Sequence, residues 1–445
     1  MSNQKKPGTN NLEAHWMPYT ANRNFKKNPL FLQGAQGMYY FDPAGRKILD
    51  GAAGLWCVNA GHNIPRITKA IQEQAEQVDY VTHFSLGHEK SFEAASKLTS
   101  AMPWDFNHVF FSNSGSEAVD TALKIALAYQ RARGKDSKTL LIGRDRGYHG
   151  CNFGGMSVGG IPYNRKVFKA GLLQNTDHLP HTHDISRNAF SKGEPEHGIE
   201  YADHLETMIK FHYPENIAAV IIEPVAGSTG VLPPPKGYLK RIKELCEEHD
   251  ILLIFDEVVC AFGRFGTLTA SEYFDVKPDI ITSAKGLTNG AVPMGATFVR
   301  DHIYDAFMQG PESTIEIMHG YTYSGHPLAS VAAIATLETF QEDKLFDNAS
   351  GIMDYFQDQI LSLQEFDGIF EDIRTIGLLA GLDFKLKEGE DPIQPKVYAD
   401  CFERGLAVRK TGKQTLIFSP PVCLKKEHVD EMIGILKESI ASIIA

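Results

Sequence analysis

The sequence predicts an α/β fold, with a mostly parallel central sheet in a large domain and a smaller α/β domain after it. Three observations carry this. Between residues 108 and 283, short apolar runs rich in β-branched residues alternate with segments of helical periodicity, the pattern of a sheet buried on both faces. Three of these runs stop at or just before a residue with chemistry to offer, namely Glu223, Asp256 and Lys285. In such sheets ligands sit beyond the carboxyl ends of the strands. After about residue 330 the character changes to helices with short strands.

Residues 31–50 form a hairpin around the turn Asp42-Pro43-Ala44-Gly45. Residues 65–78 form an amphipathic helix through Ile67, Ala70, Ile71, Ala75 and Val78. His108–Ser112 is a strand, and 116–133 a helix whose apolar side holds Val119, Ala122, Leu123, Ala126 and Tyr129. Strands are expected at 138–143, 218–223, 251–256 and 279–283, with a helix over 239–249. A helix over 328–342 leads to strands at 377–384, 406–409 and 415–418 and a last helix around Val429, Met432, Ile433, Leu436 and Ile440. The chain therefore divides into an N-terminal segment, 1–64, that packs with the small domain, a large domain, 65–330, and a C-terminal small domain, 331–445.

A chain of 445 residues is long enough for a large core in two or three domains. Its net charge of −11 argues against sequence-independent nucleic-acid binding. The six cysteines are scattered, with no metal or redox pair, which fits a reducing cytoplasm. No apolar signal segment opens the chain and no apolar run is long enough to span a bilayer, so no membrane association is expected.

Three short segments could do chemistry, and each has a bland reading. Ser112-Asn113-Ser114-Gly115-Ser116-Glu117 joins a strand to a helix. It is either a phosphate cradle or a capping box of Ser114 with Glu117. Asp256 ends a buried strand, where a carboxylate could hold a protonated ring nitrogen or simply cap the next turn of the chain. Lys285 comes after another buried strand, and a lysine partly withdrawn from water becomes nucleophilic toward carbonyls. Alone, it would pass for a surface lysine. Together they form an ordered set. Asp256 and Lys285 lie 29 residues apart, room for one helix and one strand. Pyridoxal phosphate needs a lysine for its aldehyde, an acid for its ring nitrogen and an anion site for its phosphate.

On these residues, and on HWMPYTANR (15–23), LDGAAGLWCVNAGH (49–62), SNSGSEAVDTALKIALAYQRARG (112–134), GYHG (147–150), EPVAGSTGV (223–231), LLIFDEV (252–258), AKG (284–286) and HGYTYSGHP (319–327), the chain resembles the class III, or ω-amino acid, aminotransferases of fold type I. The resemblance runs along nearly its whole length and is nearest to the β-alanine:pyruvate group. It implies that Lys285 binds pyridoxal 5'-phosphate as a Schiff base and shuttles the proton, and that Asp256 keeps the ring nitrogen protonated. It implies further cofactor contacts from Ser114, Gly115, Ser116, Tyr148, His149, Glu223 and Val258, with Thr322 reaching the phosphate from a neighbouring subunit. Tyr19, Trp56, Tyr148 and Tyr163 would line the substrate pocket, and Arg409 would grip the keto-acid carboxylate.

The implied activity moves the amino group of an ω-amino acid or amine to pyruvate, in a ping-pong cycle through pyridoxamine phosphate, giving L-alanine and an aldehyde or ketone. A homodimer or dimer of dimers with shared sites is implied as well. The alternatives on the same scaffold are an aminomutase or racemase and a decarboxylating lyase. Two positions depart from many relatives: Ser228 stands where a glutamate often pairs the arginine, and Val259 where a glutamine often comes after the Asp-Glu-aliphatic triplet. His178, His181 and His183 lack the ligand spacing of a helix, so no metal is expected. Gly154, Gly155, Gly159 and Gly160 read as loop hinges.

Overall fold

The computed structural model describes residues 11–445. The expected hairpin forms with an added strand: β1 (Gly34–Gln36), β2 (Tyr39–Phe41) and β3 (Lys47–Asp50) run antiparallel in that order. Asp42 makes the turn, its Oδ1 accepting the N–H groups of Ala44 and Arg46 at 2.9 Å each. Helices Pro65–Gln77 and Glu89–Ala101 come next.

The large sheet is built from β4 (His108–Ser112), β5 (Leu140–Asp145), β6 (Gly159–Gly160), β7 (Thr176–Leu179), β8 (Ile217–Ile222), β9 (Leu252–Asp256), β10 (Ile280–Ser283) and β11 (Gly295–Val299). Its order is β4-β11-β10-β9-β8-β5-β6, with β7 also on β5. All pairings are parallel except those of β11, which runs against both β10 and β4. The carboxyl ends of β4, β5, β8, β9 and β10 therefore share one edge of the sheet.

Successive residues of the central strands feed opposite cores, which is why these strands are continuously apolar. Val220, Ile222, Leu253 and Phe255 join the main cluster, while Ala219, Ile221, Leu252 and Ile254 pack under helix Gly115–Ala132. That helix buries Val119, Ala122, Leu123, Ala126 and Tyr129, the side its periodicity marked. Helix Pro327–Glu342 packs against Pro65–Gln77 and Glu89–Ala101.

A second antiparallel sheet holds β12 (Phe370–Ile376) and β13 (Leu379–Phe384), then β15 (Arg409–Thr411) and β16 (Thr415–Phe418), in the order β12-β13-β16-β15. Between β13 and β15 in the chain, β14 (Leu406–Ala407) pairs in parallel with β3, tying the N-terminal strands to the C-terminal region. No helix among the described residues is long and apolar enough to cross a membrane.

Two expectations change. The 377–384 region holds one strand preceded by a longer one, β12, rather than a single strand. The four glycines are close-approach positions and not hinges. Gly154 and Gly155 lie in helix Phe153–Val158, and Gly159 and Gly160 form β6. A methyl on Gly155 would stand 2.1 Å from the His149 carbonyl oxygen, and one on Gly160 would stand 2.2 Å from that of Arg144.

Backbone atoms cannot give way as a side chain can. Gly160→Ala should therefore cost about 1–3 kcal/mol or more. Gly434→Ala, in helix Lys426–Ile444 with open space around it, should add about 0.5–1 kcal/mol. Thermal unfolding of both variants at one scan rate checks the contrast, and equal midpoints would refute the close-approach reading.

Candidate active site

The shared sheet edge gathers the side chains. Asp256 closes β9 and is 4% exposed. Its Oδ2 lies 2.8 Å from Nδ1 of His149, and its Oδ1 accepts from the Thr282 hydroxyl at 3.2 Å and the Val258 N–H at 3.1 Å. The β9–β10 register sets Thr282 directly opposite Asp256. An ionised carboxylate only accepts, so with Asp256 charged the His149 proton sits on Nδ1. The Nε2 of His149 is buried without a partner among the described residues.

Glu223, just beyond β8, is fully enclosed. Its two oxygens accept the N–H groups of Tyr148 at 2.8 Å and Gly227 at 3.1 Å. Burial pushes its carboxyl pKa up, and the neighbouring His149 opposes the shift. These bonds hold the segment after β5 against the end of β8, so Tyr148 and His149 face the cavity together.

Lys285 lies two residues past β10, with a left-handed backbone of φ 48°. Its ammonium forms no hydrogen bond or ion pair within the described residues. Burial draws its pKa below the ordinary lysine value, against the pull of Cys57, Asp256 and Glu223. The shift favours the free, nucleophilic form of the amine.

The cradle is built by glycine. Ser114 caps helix Gly115–Ala132, its Oγ accepting the Glu117 N–H at 3.2 Å, while the Glu117 carboxylate accepts the Asn113 N–H at 2.7 Å. The capping reading of Ser114 thus holds, and the phosphate reading falls to the helix start itself. A methyl on Gly115 would stand 2.8 Å from Val258, and one on Gly150 (φ 100°) would stand 2.5 Å from the Ser116 hydroxyl. Ser116 Oγ accepts the Cys151 N–H at 3.1 Å and lies 3.6 Å from its sulfur. Gly115, Ser116, Tyr148, Glu223, Val258 and Lys285 line one cavity of about 130 Å³ with Asp256 and His149.

Trp56 is buried and outside the cavity lining. Its ring centroid is 5.0 Å from the Lys285 Nζ and 5.8 Å from the Arg409 guanidinium carbon. Trp56 and Ala53 are left-handed, at 58° and 46°, a conformation that costs about 1–2 kcal/mol for a residue with a side chain. Tyr19 is 79% exposed and neighbours the Tyr148 hydroxyl. Tyr163 is 88% exposed and outside the cavity lining. Thr322 is exposed as well, its carbonyl accepting the Tyr80 hydroxyl at 2.9 Å.

Of the three histidines, His178 belongs to β7, and His181 and His183 follow it as neighbours. His178 lies 2.8 Å from Arg165. His183 clusters with Asp372 and Asp383, and the Arg374 guanidinium already bridges those two carboxylates at 2.8 Å each. Sequence reasoning passed over Gly150 and Cys151, although the final glycine of GYHG was the signal for a close approach.

The family pattern of the class-III aminotransferases matches residues 20–440. The chain belongs to the class III aminotransferases. It is 52% identical over 437 residues to an omega-aminotransferase of Caulobacter vibrioides, covering 98% of this chain and 99% of that one. It is 44% identical to a beta-alanine–pyruvate aminotransferase of Pseudomonas aeruginosa, covering 97% and 96%. Among solved structures it resembles a thermostable (S)-enantioselective omega-transaminase from Thermomicrobium roseum, with a TM-score of 0.91, 31% identity and coverage of 98% and 97%. Class III aminotransferases depend on pyridoxal phosphate. The residues of this aminotransferase fit that group: an unpaired lysine, a buried acid aimed into the same cavity and a helix start where a single methyl would collide.

The depressed lysine pKa is measurable in the cofactor-free aminotransferase. An amine-reactive aryl sulfonate should modify Lys285 with a half-maximal pH below the ordinary lysine value of 10.5. Asp256→Asn should lower it further, because the Asp256 charge favours the ammonium. Peptide mass spectrometry across pH reads both, and a midpoint at or above that of exposed lysines would contradict the burial argument.

Proposed function

We propose that this aminotransferase carries amino groups from a β-alanine-like ω-amino acid or amine to pyruvate, releasing L-alanine and an aldehyde or ketone. The observation that carries it is the indole of Trp56 lying near both the Lys285 amine and the guanidinium of Arg409. A reacting carbon near Lys285 would then have its carboxylate within reach of Arg409. The names of the relatives from Pseudomonas aeruginosa and Caulobacter vibrioides support the same reading, and nothing favours the isomerase or lyase alternatives.

Bound pyridoxal phosphate supplies an aldehyde that exchanges amino groups and a ring that takes up electrons. The chain supplies the rest. Lys285 Nζ would take the proton from the amine-bearing carbon and deliver it to the carbon that had been the cofactor's aldehyde. Asp256, held by His149 and Thr282, would accept a hydrogen bond from a protonated ring nitrogen. Tyr148 and Val258 would flank the ring, Gly115 and Ser116 would offer N–H groups to the phosphate, and Glu223 braces Tyr148. Arg409 grips the keto-acid carboxylate as a fork. Ser228 offers no carboxylate to pair Arg409 when an uncharged amine end binds, so the arginine turns to solvent. Gly405, at φ 94°, precedes β14, and Gly412, at φ 57°, comes directly after its strand β15.

Arg409→Ala should weaken the pyruvate half-reaction by about 2–4 kcal/mol in kcat/KM and an amine without a carboxylate far less. Single-turnover kinetics of each half-reaction provide the test. Equal losses would mean that Arg409 supports the fold or cofactor and does not select the acceptor, and failure of pyruvate to restore the cofactor after amine would sink the proposal.

The same reading includes a homodimer in which Thr322 completes the neighbour's phosphate site. Its support is the exposed apolar segment carrying Ile315, Met318 and Tyr323 beside Thr322. Heterodimers of Lys285→Ala and Thr322→Ala subunits should regain activity, because one site then carries both lesions and the other neither. No recovery in verified heterodimers would count against site sharing. The six free cysteines support a cytoplasmic setting, and the β3–β14 pairing supports grouping the N-terminal segment, 1–64, with a small domain, 331–445, apart from the large domain, 65–330.

A further inference from the structure

The segment between β3 and Trp56 is bent through conformations that it would not keep unaided. Ala53, Gly54 and Trp56 have φ values of 46°, 67° and 58°. Beside the Trp56 N–H donating to the Ala52 carbonyl at 3.0 Å, the side chain that opposes their relaxation is one carboxylate. Asp50, the last residue of β3, is 1% exposed. Its Oδ1 accepts the Ala52 N–H at 3.0 Å, and its Oδ2 accepts the Gly54 N–H at 2.6 Å and faces Nε2 of His62 at 2.8 Å. Tyr40 lies on the His62 ring, centroid to centroid 4.3 Å. Its hydroxyl stands 3.1 Å from where a methyl on Gly54 would be. Asp50 is itself fixed, its N–H donating to the Met38 carbonyl at 2.8 Å, and Gly51 donates to the Ala407 carbonyl at 2.8 Å.

We propose that Asp50 is a positioning residue for substrate selection, gripping the Ala52–Gly54 turn so that the Trp56 indole stays between Lys285 and Arg409 and limits the size of the amine. This rests on the reading of Trp56 as a wall of the substrate pocket. Asp50 lies behind the turn, and its acceptors are spent on backbone N–H groups and His62, so it acts through Trp56 and not on the substrate. An amide in its place keeps one acceptor and turns an NH₂ toward a backbone donor. The turn then loses an anchor, its left-handed residues relax, and the indole is released.

The chain has three tryptophans, Trp16, Trp56 and Trp104, exposed by 89%, 5% and 41%. In holoenzyme carrying Trp16→Phe and Trp104→Phe, Trp56 is the only indole emitter. Asp50→Asn in that background should red-shift the emission and raise its quenching by acrylamide. The ratio of kcat/KM for a bulky aryl-alkyl amine to that for a small linear amine should rise about tenfold, with kcat for the small amine nearly kept. Gly54→Ala strains the same turn without removing the charge. It should move both readouts the same way, and it carries the test if Asp50→Asn does not fold. Unchanged Trp56 emission and quenching in a folded variant would overturn the proposal. Altered emission with an unchanged amine ratio would overturn the claim on selection and the wall role of Trp56, leaving the aminotransferase reading intact.

Discussion

A carboxylate at the end of a wholly apolar strand is the constraint on which the cavity depends. Stripping water from Asp256 costs several kcal/mol, and the cost is offset only because three donors from three separate elements converge on it. Thr282 comes from β10, His149 from the segment after β5 and Val258 from the bend just past Asp256. Each donor thereby places something else. The β10 contact sets the register that delivers Lys285 three residues later. The His149 contact draws in Tyr148 and Gly150, and Gly150 brings that segment against Ser116. The Val258 contact aims its side chain at Gly115.

The neighbouring acids are occupied elsewhere, which keeps the chemistry unambiguous. Glu257 points away from the cavity, and its two oxygens take the N–H groups of Ala270 and Ser271. Burial pushes its carboxyl up to about 7. Glu223 is spent on backbone N–H groups. Of the three buried carboxylates near the ends of β8 and β9, Asp256 lines the cavity with its acceptors shared between two side chains and one backbone N–H. Two adjacent acids, Asp256 and Glu257, thus serve opposite faces of one strand end, as the alternation of a strand requires.

Much of this was legible in the sequence because it obeyed periodicity. β4, β8, β9 and β10 are short apolar runs, and the helix between Gly115 and Ala132 has a clean apolar side. The strand-end positions of Glu223, Asp256 and Lys285 came from those runs alone. What escaped was structure defined by contact. β11 is five residues after a Gly- and Pro-containing loop, and its antiparallel direction has no local signature. Gly155 and Gly160 are fixed by carbonyls of residues distant enough that no spacing announces them. Asp50 and His62 sit in one recognisable stretch, yet their pairing needs the turn that they hold.

The place of β11 has a consequence for the growing chain. β4 lies at the edge of the sheet, and its single neighbour among the described residues is β11. His108 therefore waits for Val299, and the apolar Val109, Phe110 and Phe111 have no strand to join until then. Such long-range closure is slow, and the waiting edge is open to mispairing. The anion cradle stands on the end of that strand. During synthesis the lysine, which lies before β11, emerges before the cradle can be seated, so the two halves of the site meet only once β11 has been inserted.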